Sequence, residues 1–560
     1  MILGMEYLDA IIVVIYLAGI TLIGALAGRS VKSREDYLVG GRRFNRWFML
    51  FHAFGTGTHS DQAAGVVAES YKSGLSGIWA QWNWMISTPF YWLLAPLIRR
   101  LRCLTVADVY RLRYGRAVSA ITVIVSSIGA CMAMGVMLNG TSRTVQGLLH
   151  WKGPMVYYDW MGHIGITQPE PAVFYVAMGI ITLLFVGYGI AGGIVGAIRT
   201  DLIQGIMIIL LSFLALPFVL GRVGGMSGLR EALEPEKLAL VSSDFSIVHV
   251  IGLCVVSLFS IVSQAHIVSV TSAGKNELEG RIGMTYGNFL KRFCTVGWCL
   301  LGIAWFVTKP DLPNPDTAFG DAVGALLPVG FAGLMIATIM AAAMSTCDSM
   351  MVAVSGLISE NIYGDLINPK ATERQILILS RVVAVLVVVL ALYYGVTQES
   401  IFGGLKSFWE VTGTIGVAFW LGVLWRRMNA YGAIASFVVA SGTRFLLANA
   451  TSMAEGPQLL AWLGAGILAG VVVSFLTPAP SKEHGEDYYV RLYTKIGDEE
   501  RLEKPLDEAI PPEQRLIDVG GIFLPKPSRE TLNGFLVAWA IVAALLIGAV
   551  LLFRPPGLGL

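Results

Sequence analysis

Between residues 341 and 363 the chain reads AAAMSTCDSMMVAVSGLISENIY, which sets an aspartate and several hydroxyls into an apolar run. At helical spacing Ser345, Asp348 and Ser349 fall at i, i+3 and i+4, with Ala342 one turn earlier and Thr346 alongside. Small residues let helices approach closely, and such oxygen donors suit a hard cation such as sodium. Interhelical hydrogen bonding by Ser and Thr explains the same pattern, and spacing alone does not separate the two readings.

A second polar group interrupts the stretch FHAFGTGTHSDQAAGVVAES, where Gly55, Thr56, Gly57, Thr58, His59, Ser60, Asp61 and Gln62 stand together. Two glycines and side chains that compete for backbone hydrogen bonds favour a broken helix. A third group, Ser260, Ser263, Gln264 and His266, does the same to SLFSIVSQAHIVSVTSAG. His59 and His266 do not have metal-ligand spacing.

The elements that must hold these groups are membrane spans. A hydrophobic share of 55% and a charged share of 14% over 560 residues exclude an ordinary soluble domain. Apolar runs about 20 residues long recur along the chain, and a polar group at mid-depth is costly enough to suggest function. About fourteen spans are expected, near 6–28, 46–71, 76–98, 117–149, 169–192, 196–221, 246–272, 284–308, 322–358, 375–396, 401–425, 429–449, 459–477 and 531–553.

Arginines crowd residues 29–46 and 99–116, so both loops belong on the cytoplasmic side and the even count puts both termini outside. The first run, from Tyr7, lacks the flanks of a cleaved signal and reads as a retained helix. A net charge of +2 argues against a nucleic-acid partner, and six irregularly spaced cysteines read as buried thiols. Residues 478–530, rich in Glu, Lys, Pro and Arg, read as a cytoplasmic surface-packed linker. The two interrupted spans lie five apart and run in opposite directions, the plan of an inverted-repeat transporter with its site between the breaks.

At these residues the chain resembles the sodium/solute symporter family. AAAMSTCDS with the later NIY is similar to the family's eighth core helix, and GYGIAGGIVGAIRTDLIQ, residues 187–204, is similar to its glycine-rich turn and Thr-Asp-x-x-Gln motif on the fifth. The resemblance implies an all-α polytopic membrane protein of the inner membrane, with a five-plus-five inverted-repeat (LeuT-type) core and about fourteen transmembrane helices. The expected divisions are 1–45 for the first helix and loop, 46–222 and 223–427 for the two repeats, and 428–477 for additional helices. The linker 478–530 and a last helix with an external C-terminus, 531–560, complete the chain.

Carried over, the resemblance makes Ser345 and Thr346 side-chain ligands of a principal sodium ion, with carbonyls of Gly55, Thr58 and Ala342. Asp201, Ser345, Asp348 and Ser349 match a possible second sodium site, and Asp348 departs from members with serine there. Two carboxylates there would take a second sodium, share a proton or pair with Arg199. For the solute, Gln62, Ser263, Gln264 and Lys291 are the nearest matches, with His59, Asp61 and Glu410 as further candidates. Lys291 and Arg292 also read as a snorkelling pair, Arg143 as an interfacial anchor or a partner for an anionic solute, and Trp409 as packing or a lid.

The implied function is sodium-coupled symport of a small polar organic solute, a sugar, amino acid or carboxylate, with one or two Na+ and no catalysis. Proton coupling and a transporter-like sensor are the alternatives; the oligomeric state is left open.

Overall fold

The computed structural model describes residues 6–29, 33–149 and 172–554. The expected positions of both termini therefore lie outside the described residues. The bundle is built from α1 (Tyr7–Gly28), α2 (Arg46–Gly57), α3 (Ser60–Ser73), α4 (Thr88–Arg100), α5 (Arg116–Leu149), α6 (Ala172–Leu214), α7 (Ile247–Ser260) and α8 (Ile267–Ser272). It continues with α9 (Glu277–Thr308), α10 (Phe331–Gly356), α11 (Glu373–Thr397), α12 (Ile401–Leu424), α13 (Ala430–Ala450), α14 (Glu455–Leu476) and α15 (Arg529–Phe553).

Ten helices among the described residues are long and apolar enough to cross a membrane, so the expected fourteen is not reached. The other four expected spans, 46–71, 76–98, 169–192 and 246–272, have local reasons for falling short. The first and last of these are the two broken helices. The second is cut into a tight turn at Gly74–Ile78, the short helix Trp79–Trp82, and α4, which carries Pro96 inside it. The third joins the span after it in the single helical run α6, whose first apolar stretch is Phe174–Val186 and whose second begins at Ile194 and runs past the end of α6 to Arg222. Side chains 187–193 between them lie outside the described set.

Both breaks fall where the polar residues predicted them. Asn45 caps α2, its side chain accepting from the amides of Trp47 and Phe48. The helix stops at Thr58 (φ −118°, ψ 89°) and His59 (φ −96°, ψ 163°), and α3 restarts at Ser60. In the second broken helix, α7 tightens into a turn at Ile261–Ser263, Gln264 is extended, and α8 restarts at Ile267. Each break leaves amides and carbonyls without their helical partners in the middle of the bundle.

Small residues bring the long helices onto the breaks. A Cβ at Gly283 or Gly287 of α9 would meet the Met49 carbonyl at 2.7 Å or the Leu50 carbonyl at 2.6 Å, so α9 lies directly against the α2 backbone. A Cβ at Gly140 of α5 would come within 2.8 Å of the Asp61 Cα. Helix α10 packs on α1, α6 and α2 and faces the first break.

The segment 478–530 covers one end of the bundle with short helices and a hairpin, Arg515–Val519 paired with Ile522–Pro525. Its own Tyr488, Tyr489, Val490 and Leu492 are buried. Arg113 ties it down, donating to carbonyls of Gly422, His484, Trp425 and Arg426 and lying over the rings of Tyr488 and Tyr489. Arg102–Glu499, Arg100–Glu277 and Arg281–Glu530 ion pairs gather at the same end, where the arginine-rich loops were expected.

Candidate functional site

The first cluster forms where α10 meets the end of α2. Thr346 Oγ1 stands 3.3 Å from the Ala342 carbonyl oxygen on its own helix and 3.5 Å from the Gly55 carbonyl across the gap. The Gly55 carbonyl is available because the helix ends here; apart from Thr346 its partner is the Thr58 amide at 3.2 Å. Asp201 of α6 presses on the same point, since a Cβ at Gly55 would lie 3.1 Å from its carboxylate. Three oxygens and an adjacent carboxylate, all buried, form a donor set suited to a hard monovalent cation. The Ser345 side chain lies outside the described set, although its backbone is in α10.

Several buried polar atoms nearby lack hydrogen-bond partners among the described residues: Thr58 Oγ1, Asp348 Oδ1 and Ser349 Oγ. Buried polar atoms are ordinarily satisfied, so orphans clustered around one break fit a site built for a ligand. Asp348 and Asp201 lie within electrostatic reach of each other. Arg199 is exposed and so does not serve as the partner of Asp201 in the buried cluster. That place is taken by His52, whose Nδ1 is 2.7 Å from Asp201 Oδ2. Thr56 Oγ1 lies 3.2 Å from the same His52 nitrogen. His52 was not singled out from sequence; its only local signal was a histidine one turn before Thr56 in an apolar helix.

A small cavity lies between the two breaks. Thr56, Gly57, His59 and Gln62 line it from the first broken helix, and Gln264, His266, Ile267 and Val270 from the second. Asn288, Lys291 and Arg292 enter from α9, and Trp84, Tyr91, Phe408 and Trp409 add aromatic walls. His59 Nε2 donates to the Thr56 carbonyl at 2.8 Å, leaving Nδ1 to accept from Gln62 Nε2 at 3.1 Å. Lys291 is buried and its ammonium donates to the Gly57 carbonyl at the break. The snorkelling reading of Lys291 and Arg292 is therefore corrected: α9 is held against α2 by Gly283 and Gly287, which places both side chains inside the bundle.

Other candidates stand apart from the cavity lining. Ser263 hydrogen-bonds Tyr110 at 2.9 Å through its hydroxyl and accepts from Ser126 through its carbonyl. Asp61 is buried behind the break, 3.3 Å from His59 Nδ1, and neither carboxylate oxygen has a hydrogen-bond partner among the described residues. Glu410 faces away and pairs with Arg444 at 2.6 Å, whereas its neighbour Trp409 lines the cavity and stacks edge-on against Trp84. Arg143 is buried, bound to Asn139 at 2.9 Å and set over the Phe174 ring, so it is no interfacial anchor.

Two broken helices crossing at a buried, oxygen-lined pocket define a secondary transporter of the inverted-repeat class. The family model for the sodium:solute symporter family matches residues 37–152 and 169–440, and the chain belongs to that family. The high-affinity proline transporter PutP of Bacillus subtilis (strain 168) is 24% identical over 477 residues, covering 82% of this chain and 96% of its own. The sodium/sialic acid symporter NanT of Aliivibrio fischeri (strain ATCC 700601 / ES114) is 25% identical, covering 82% and 91%. The solved substrate-bound, outward-open structure of a Na+-coupled sialic acid symporter superposes with a TM-score of 0.69 at 21% identity. It covers 85% of this chain and 99% of its own, which supports the shared fold.

Proposed function

We propose that this protein imports a small polar organic solute by coupling it to sodium through alternating access, in the inner membrane and with both termini outside. The observation that carries this reading is the Gly55 carbonyl, freed by the helix break and facing Thr346 and Ala342 of α10. Sodium held by Gly55, Thr58, Ala342, Ser345 and Thr346 would join the broken helix to α10. An ion that favours the joined arrangement raises solute affinity, and the solute raises ion affinity by the same factor. Residues 46–222 and 223–427 act as the two repeats, with 1–45, 428–477 and 531–560 as flanking helices and 478–530 as a cytoplasmic cover.

Asp201, Asp348, Ser349 and Ser345 form the second cation position in this reading. Uptake into proteoliposomes under an imposed sodium gradient tests the assignment. The Ser345→Ala, Thr346→Ala double variant should lose sodium stimulation; retained sodium-driven uptake in it would refute the site.

The His52–Asp201 hydrogen bond favours a second reading, in which a proton replaces the second sodium. A pH gradient that adds to uptake at a fixed sodium gradient would support it, and uptake indifferent to the pH gradient would leave sodium alone.

A further inference from the structure

Arg292 is buried on α9 at mid-bundle, exposed by only 1%, and lines the cavity. Its Nε and Nη1 have no hydrogen-bond partner among the described residues. A guanidinium in that state is expensive, because a buried charge is tolerated when paired or when it awaits a ligand.

Among the described residues, the surrounding acidic groups do not supply Arg292 with a hydrogen-bonding partner. Asp61, on α3, lies within electrostatic reach of Lys291 and 3.3 Å from His59 Nδ1, and His59 hydrogen-bonds the Thr56 carbonyl and Gln62. Asp201 is occupied with His52, Glu277 pairs with Arg100, and Glu279 faces Arg46 and Lys275. Asp321 is held by Lys309 and Trp305. Among the described residues that line the cavity there is no carboxylate, whereas there are two cationic side chains. Lys291 already spends a donor on the Gly57 carbonyl, so Arg292 is the cation with a free face.

We infer that the transported solute is a net-anionic small carboxylate, with its carboxylate on the Arg292 guanidinium and its apolar body among Trp84, Tyr91 and Trp409. The inference rests on the symport reading above. A planar fork of N–H groups matches a carboxylate with two parallel hydrogen bonds, which a sugar or polyol does not reproduce. A zwitterionic amino acid fits less well, since among the described lining residues its ammonium would meet two cations, with Asp61 set outside the lining beside His59. Aromatic walls favour a solute with carbon bulk over a fully hydroxylated one.

Thermal unfolding of the purified full-length protein in detergent, in sodium and in potassium chloride, tests this. The panel pairs two- to eight-carbon aliphatic and aromatic carboxylates with their primary amides, beside sugars, polyols and zwitterionic amino acids. At least one carboxylate should raise the melting temperature in sodium while its amide does not, and Arg292→Gln should weaken that acid tenfold or more while keeping the response to sodium. Arg292→Lys should keep part of the acid response. A sugar, amide or amino acid that stabilises as well as any acid would overturn the inference, as would an unchanged acid response in Arg292→Gln or no acid response at all. Should Arg292→Gln fail to unfold cooperatively, the acid–amide comparison on the unmodified protein decides. An acid effect equal in potassium and sodium would uphold the anion site and defeat sodium coupling, whereas sodium stabilisation without any acid effect would do the reverse.

Discussion

Thr346 contributes a hydroxyl to a cluster that also uses the main-chain carbonyls of Gly55 and Ala342, so its side chain is a part that mutation can remove cleanly. Thr346→Val keeps the shape and deletes the donor. It should raise the sodium concentration for half-maximal uptake tenfold or more, while the melting temperature in potassium changes little. His52 acts on the same cluster through Asp201. Losing a hydrogen bond to a charged group costs about 1.5–3 kcal/mol, so His52→Ala should lower thermal stability by that order in both salts. The acidic member of this pair was legible, because Asp201 stands in a Thr-Asp-x-x-Gln motif. Its partner was not, because His52 and Asp201 are 149 residues apart and meet only when α2 packs on α6.

Among the elements, α9 decides how far the cavity reaches. Gly283 and Gly287 let it touch the α2 backbone, which brings Lys291 and Arg292 inward. Gly287→Val puts a side chain where the Leu50 carbonyl already lies at 2.6 Å from the Cβ position. Overpacking of this kind costs about 1–3 kcal/mol, so the variant should melt lower and bind solute more weakly. Gly464→Ala on α14, with nothing within 4 Å of its Cβ position, is the control and should melt no lower than the parent. Both helix breaks were legible in the sequence, since glycine and hydroxyl-bearing residues mark them. The interruption of 76–98 was less so, because its aromatic residues read as a continuous apolar run.

For the whole molecule, Arg113 helps to hold the cover formed by residues 478–530. Arg113→Ala removes donors to four carbonyls and the cation stacked on two tyrosines. Limited proteolysis should then cut within 478–530 markedly faster than in the parent, whereas equal rates would show that the hairpin and tyrosines suffice. Cys103, near the same surface, reports closure. Burial, with Asp108 nearby, pushes its thiol well above the ordinary value. An exposed thiol ionises near pH 8.5, so the folded protein should resist maleimide at pH 8 and react once unfolded. The sign follows: this group's contribution to stability is full below that pH and falls as pH rises, because the unfolded thiol ionises first.

Composition and the positions of polar residues within apolar runs determined that the chain crosses a membrane, where two helices break and which oxygens gather near them. Those are local properties, readable from periodicity and from residues that compete with helical hydrogen bonds. Only the tertiary structure decided which polar groups share a cavity. It turned Glu410 toward Arg444, tied Ser263 to Tyr110 and brought Arg292 inward. Each of these outcomes depends on helix rotation and on distances between segments far apart in the chain, and no short-range pattern encodes them.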